Sequence, residues 1–299
     1  MSPLEFVRLP DLMKRGQGRP AITIALIDGP VAQNLPDLAG ATIREVSGRE
    51  ISGKLKGACA RADTIACMHG TFVAGMLVAR RGCAAPAICP GCTLLVRPIF
   101  AETVNHNGDM PIATPEDLAE AIIESVVAGA KIINLSAALV QPSIKDENRL
   151  EQALDYAAQR GVIIVAAAGN QGTVGSTAIT RHPWVISVAA CNLQGRPLAD
   201  SNLAGSIGRQ GLLAPGESVT SLGSDGKPKT FGGTSAAAPF VTGAIGLLWS
   251  EFPSASAGPM RQALRQPATR WRRAVVPPLL DAWAAYQSLA SRPAGRMVQ

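Results

Sequence analysis

An α/β fold, with a mainly parallel central sheet flanked by helices in three layers, is predicted by three features of the sequence. Hydrophobic residues fill 47% of the 299 positions while aromatics fill only 4%, so the apolar mass is mostly Ala, Val, Ile and Leu. Small and branched side chains of this kind suit strands covered on both faces by closely packed helices better than they suit an aromatic-rich sandwich. Short β-branched runs alternate with longer helical patterns, as parallel pairing requires. No internal repeat, linker or second core interrupts them, and one large domain of this length is ordinary.

The first strand is read at residues 21–27, where the run ITIALI ends at Asp28-Gly29-Pro30. Asp28 therefore falls at the C-terminal edge of a buried strand, the edge where catalytic groups collect in α/β folds. From His69 the string HGTFVAGMLVARR has helical spacing and places His69 near a first turn. Further strands are expected at 93–99 (TLLVRPI), 131–135 (KIINL), 162–167 (VIIVAA), 185–189 (VISVA) and 211–214 (GLLA), with helices at 115–128 and 147–159 between them. After Ser235 comes AAAPFVTGAIGLLWSEF, an apolar helix too short and too broken by Gly243 and Gly246 to span a bilayer, and so a buried central helix. A last helix follows Pro277-Pro278 at 279–289. The expected organisation is an N-terminal arm at 1–20, one domain at 21–290 and a tail at 291–299.

A net charge of +6 is modest for this length, and no polybasic tract interleaved with aromatics appears, which argues against a nucleic-acid partner. The excess gathers late, at Arg261, Arg265, Arg270, Arg272, Arg273, Arg292 and Arg296 with Asp281 the one acid among them. That reads as a solvated helical face, or alternatively as a docking surface for an acidic peptide. The opening residues lack the apolar run of a secretory signal and nothing suggests a membrane span, so a cytoplasmic protein with no membrane partner is expected. Five of the six cysteines lie between Cys59 and Cys92. Reduced thiols are the simpler expectation there, although Cys89-Pro90-Gly91-Cys92 could also close a disulfide, or bind zinc with Cys59, Cys67 and Cys83 nearby.

A serine hydroxyl becomes a useful nucleophile at neutral pH when a base takes its proton and a carboxylate fixes the base's tautomer. Three histidines are available. His106 lies in the turn-forming string NHNGD and His182 precedes Pro183, whereas His69 opens a small-residue helix. In FGGTSAAAP, glycines lead to Ser235 at the start of a long apolar helix, where the positive end of the dipole favours developing negative charge. A plain helix cap by Thr234 or Ser235 is the alternative.

Taken together, IALIDGP, HGTFVAG and GGTSAAAPFVTGAIGLL resemble the three active-site blocks of subtilisin-like serine proteases, in the order Asp, His, Ser. The resemblance implies Asp28, His69 and Ser235 as a catalytic triad in a subtilisin-like fold. It extends to VIIVAAAGNQG, which implies Asn170 as oxyanion donor with Gly169 beside it, and to KIINLSAAL, which places Ser136, Ala137 and Ala138 on the edge that pairs with extended substrate. A peptide is the implied partner and no cofactor is required.

Departures from the family pattern limit the reading. Gly-Pro follows Asp28, and Ala137-Ala138-Leu139 stands where glycines are usual, which should crowd the pocket and favour small side chains. Asp37 matches a family calcium carboxylate, but GCAAPAICPGC replaces the calcium loop and offers no acid or amide side chain. The strings IDGP, HGTFVAG and CPGCTLLVRPIF resemble the subtilases that trim precursor peptides in cyanobactin-type maturation (PatA/PatG-like), which implies a processing protease. The rival expectation is a subtilase-fold protein that binds peptides without turnover.

Overall fold

The computed structural model describes residues 1–46, 56–102, 113–136, 147–265 and 274–292. Ala137, Ala138 and His106 lie outside them. The chain opens with α1 (Pro3–Phe6), α2 (Leu9–Arg15), β1 (Thr23–Asp28), β2 (Thr42–Glu45), α3 (Ile65–Val78), β3 (Thr93–Pro98), α4 (Pro115–Val127) and β4 (Ile132–Leu135). It continues with α5 (Glu147–Gln159), β5 (Ile163–Ala167), α6 (Ala178–Arg181), β6 (Ile186–Cys191), α7 (Gly205–Gln210) and β7 (Leu212–Pro215). The hairpin β8 (Val219–Leu222) and β9 (Pro228–Phe231) leads into α8 (Thr234–Glu251), α9 (Ala257–Arg265) and α10 (Ala282–Ala290).

β1 to β7 form one parallel sheet in the order β2-β3-β1-β4-β5-β6-β7, as the alternation in the sequence predicts. Side chains leave it alternately. Ile24, Leu26, Ile132 and Val165 pack against Phe72 of α3 and Phe240, Val241 and Ile245 of α8. Ala25, Ile27, Ile133 and Leu135 pack against Leu118 and Ile122 of α4 and Leu150 and Leu154 of α5. Each such Leu or Ile contributes about 1.5 to 3 kcal/mol by leaving water, so both helical layers are held by the same strands. β1 lies between β3 and β4, where the winding reverses, and a crevice opens at the carboxyl ends of strands at such a point. Asp28 closes β1 and Ser136 follows β4 there, joined by the Ser136 N–H to the Ile27 carbonyl at 3.2 Å.

The structure adds elements that the sequence pattern hides. The first fifteen residues, read as an arm, make two helices, with Val7 between them and Leu9 and Leu12 of the second fully buried. Arg8 pairs with Asp281 at 3.1 Å and Ala282 N–H donates to the Val7 carbonyl, which docks this segment on α10. Arg261 departs from the solvated face expected of it. It is 9% exposed, lies over the Trp184 ring at 4.2 Å and donates to the Pro183 carbonyl, and burial pulls its pKa down to about 10.

The cysteines also correct the expectation of reduced thiols. Cys59 and Cys67 form a disulfide, while Cys83, Cys89, Cys92 and Cys191 are free. The bond ties a segment that pairs with Val31, through Cys59 N–H to the Val31 carbonyl, onto the first turn of α3. Closing a loop of eight residues' separation removes unfolded-state entropy worth about 2 to 3 kcal/mol. A reductant should therefore lower the melting temperature by roughly 3 to 5 °C. The check is thermal unfolding with and without dithiol, beside a Cys59→Ala/Cys67→Ala variant that should ignore it. An unchanged wild-type midpoint after complete reduction would show that the bond contributes nothing.

Candidate active site

Asp28 is fully buried, and its Oδ1 accepts from His69 Nδ1–H at 2.7 Å and from Gly29 N–H at 2.6 Å. Two glycines bring the carboxylate to the ring. A Cβ on Gly29 would lie 1.9 Å from the Ala66 carbonyl oxygen, and one on Gly70 would lie 2.4 Å from the Gly29 and Pro30 carbonyls. The turn after β1 thus rests directly on the backbone of α3, and the Gly29-Pro30 departure leaves the carboxylate–imidazole pair intact. His69 sits in the second turn of α3, because Thr64 caps the helix earlier than its apolar pattern suggests, accepting from Cys67 N–H at 3.3 Å.

The His69 side chain is 13% exposed, with the Phe231 ring 6.0 Å away centre to centre. Burial opposes a charge on His69, but the charge of Asp28 and its hydrogen bond together outweigh that, and the imidazole pKa is raised above its ordinary value. The ring is thereby both a base and a group whose protonated form the protein tolerates.

Ser235 is the second residue of α8, and the helix is entered through Gly233 at φ +88°, a conformation that favours glycine. Its hydroxyl donates to the Ser136 carbonyl at 3.2 Å. Among the described residues no hydrogen bond joins it to His69; catalytic pairs of this kind often tighten only in the complex with substrate. Asn170 leaves β5 on a loop and its Oδ1 accepts from Thr234 N–H at 2.8 Å and Thr234 Oγ1–H at 2.9 Å. Gly169 N–H in turn donates to Thr234 Oγ1 at 3.1 Å. The Asn170 oxygen is thus tied back, and its Nδ2 is the end left to serve an acceptor near the start of α8.

The described members of the predicted set, Asp28, His69, Ser235, Asn170, Ser136 and Gly169, all converge on this edge of the sheet. Thr234 was missed, since beside a serine it reads as a helix cap; its fully buried side chain is what orients Asn170. Phe231 was missed because β9 is short and mostly exposed.

Metal ligation has weak support in the side chains. Asp37 Oδ1 is held by Arg80 at 2.9 Å. Among the described residues Cys59, Cys67 and Glu102 place ligand atoms within 4.8 Å of one another, but the two sulfurs are bonded to each other and Glu102 accepts from the N–H groups of Ala60 and Arg61.

An imidazole with a buried carboxylate behind it, on a scaffold that also sets a serine at a helix N-terminus, is suited to acyl transfer. The subtilase (Peptidase_S8) family model matches residues 19–282, and the chain belongs to that family. The thermostable alkaline protease of Halalkalibacterium halodurans is 30% identical over 202 residues, covering 67% of this chain and 52% of that protein. The chain thus spans about half the length of that relative. A solved variant of the protease domain of PatA is 31% identical, with a TM-score of 0.80 over 94% of this chain and 98% of that one. The patellamide maturation protease PatA is 30% identical, with a TM-score of 0.76 over 92% and 99% of the two chains.

Proposed function

We propose that this chain is a serine endopeptidase whose domain, over residues 21–290, processes a precursor peptide. Ser235 attacks the peptide carbonyl, His69 takes and returns the proton, Asp28 holds the His69 tautomer, and Asn170 Nδ2 with the Ser235 N–H binds the oxyanion. The observation that carries this reading is the 2.7 Å Asp28–His69 pair at the end of β1, the strand to which Ser136 is bonded while its carbonyl accepts from Ser235 at the start of α8. The processing role draws support from the likeness to the patellamide maturation protease and from the crowding expected of Ala137 and Ala138. Among the described residues no helix is long and apolar enough to cross a membrane.

A fluorophosphonate probe tests the enzyme against the peptide-binding alternative. Labelling at Ser235 supports turnover, and a folded protein that stays unlabelled supports the binder. A peptide-library digest beside casein tests the substrate class: fast, unselective casein degradation would sink the processing role.

Asn170→Ala should lower kcat by about 10² to 10³ with little change in KM, the scale known for subtilisin's own oxyanion asparagine. Thr234→Val should reproduce part of that loss, because Asn170 Oδ1 would keep only the backbone N–H as tether. Steady-state kinetics on one fluorogenic peptide decide it. A defect confined to KM in both variants would make Asn170 a substrate-binding group instead.

A further inference from the structure

Asn134 is a fully buried amide on the face of β4 that otherwise packs against α8. Its neighbours in register, Leu26 on β1 and Val165 on β5, are aliphatic members of that core. An aliphatic residue would be the cheaper occupant of such a place, since a buried amide must find partners for each polar end. Asn134 finds two. Thr242 Oγ1–H, itself fully buried on α8, donates to Asn134 Oδ1 at 2.7 Å, and Asn134 Nδ2 donates to Ser136 Oγ at 3.0 Å.

These bonds complete a ring. Ser136 is held through its hydroxyl by Asn134, through its N–H by the Ile27 carbonyl, and through its carbonyl by Ser235 Oγ–H. Thr242 and Ser235 are seven residues apart on α8, close to two full turns, so they lie on the same side of one rigid element. The residue at which β4 leaves the sheet is thereby fixed twice to the helix that carries the nucleophile, once directly and once through Thr242 and Asn134. Ser136 N–H also binds it to the strand that ends in Asp28.

Resting on the reading of Ser235 as nucleophile and of Ser136 as the start of the substrate edge, we propose that Asn134, oriented by Thr242, is a positioning residue. It sets the height of the substrate edge relative to Ser235, and so governs both the rate and the discrimination between side chains before the cut. The Ser136 carbonyl must exchange the Ser235 hydroxyl for substrate when peptide binds. A residue held only by main-chain bonds could then shift, whereas the amide keeps it in place. Small misplacements of a reacting carbonyl are expensive in rate, which is the reason to spend buried polar groups here.

Thr242→Val preserves shape and removes the hydroxyl, Thr242→Ser restores it, and Asn134→Leu removes the whole relay. The measurements are kcat, KM and melting temperature, with two fluorogenic peptides that differ only in Ala or Phe before the cut. Thr242→Val should lose about tenfold in kcat/KM, mostly in kcat, and narrow the Ala-to-Phe ratio by about threefold, while Thr242→Ser regains most of both. Asn134→Leu should match or exceed the Val variant if it folds, and the Thr242 pair decides the matter if it does not. A folded Thr242→Val with wild-type kcat/KM and ratio overturns the proposal, as does a Thr242→Ser variant no better than Val.

A wild-type protein inert to fluorophosphonate marks failure of the peptidase reading and not of the relay. The same substitutions are then read in a Ser235→Ala background by the affinity of the labelled peptides. About tenfold weaker binding in Thr242→Val supports the positioning role, and equal affinity overturns it.

Discussion

Ser235→Ala should cut kcat by about 10⁶, the scale set by subtilisin's own serine, while the melting temperature stays close to wild type. The side chain is partly exposed at the start of α8 and, among the described residues, its hydroxyl bonds to the Ser136 carbonyl, so its loss opens no cavity in the core. His69→Ala should be about as damaging, because a serine without its base is nearly as inert as no serine. The sharper expectation concerns the double variant. If the two side chains act as one unit, Ser235→Ala/His69→Ala should be no slower than either single variant, whereas independent contributions would multiply. Rates of the three variants on one peptide, measured with enough protein to see the residual turnover, separate these outcomes. A loss under tenfold in Ser235→Ala would place the nucleophile elsewhere.

What could be read in the sequence follows from how strongly each residue type constrains its surroundings. The block around Asp28 is legible because a β-branched run must end before Gly29, and the structure shows why a glycine stands there: nothing larger fits against the Ala66 carbonyl. Gly70 announces the His69 block for the same reason. The parallel sheet was legible from runs buried on both faces, such as KIINL and VIIVAA. Less visible were elements whose stability comes from distant partners. Leu9 and Leu12 are spaced too sparsely among polar residues to predict a docked helix, and α10, which receives it, lies about 270 residues later. The hairpin of β8 and β9 is illegible because β9 keeps mostly exposed, non-alternating residues.

The polar groups behind the site were the hardest to read. Thr234, Thr242 and Asn134 have no local pattern of their own, since a buried hydrogen bond between α8 and a strand depends on tertiary placement. The Cys59–Cys67 bond was likewise hidden: a CPGC string draws attention to Cys89 and Cys92, yet these are both buried and free. Hydrogen bonding between them raises the Cys89 thiol and lowers that of Cys92.

Asp28 offers the second large effect and the one most specific to this geometry. Asp28→Ala should lose about 10⁴ in kcat, since the His69 tautomer would be unheld and its protonated form unsupported. Asp28→Asn is more informative. Both His69 Nδ1–H and Gly29 N–H point at Oδ1, whereas Oδ2 is buried without a hydrogen-bond partner among the described residues. An asparagine should therefore turn its carbonyl oxygen to the Oδ1 place and its amine to the other, keeping the productive tautomer while losing the charge. Its loss should be smaller than that of the alanine variant, by about tenfold or more. The pH profile carries the sign. In the wild type, burial lowers the His69 pKa but the Asp28 charge and hydrogen bond raise it further, so activity falls on the acid side through a pKa above the ordinary value. Without the charge, burial is left to dominate, the imidazole gives up its proton more readily, and the acid limb of kcat/KM should move to lower pH. Rate profiles of wild type and Asp28→Asn between pH 4 and 9 test both points, the range being about that over which an imidazole titrates. An acid limb that stays in place would mean that Asp28 does not act on His69 through its charge in the way the 2.7 Å contact implies, whereas an asparagine variant as slow as alanine would mean that holding the tautomer contributes nothing without that charge.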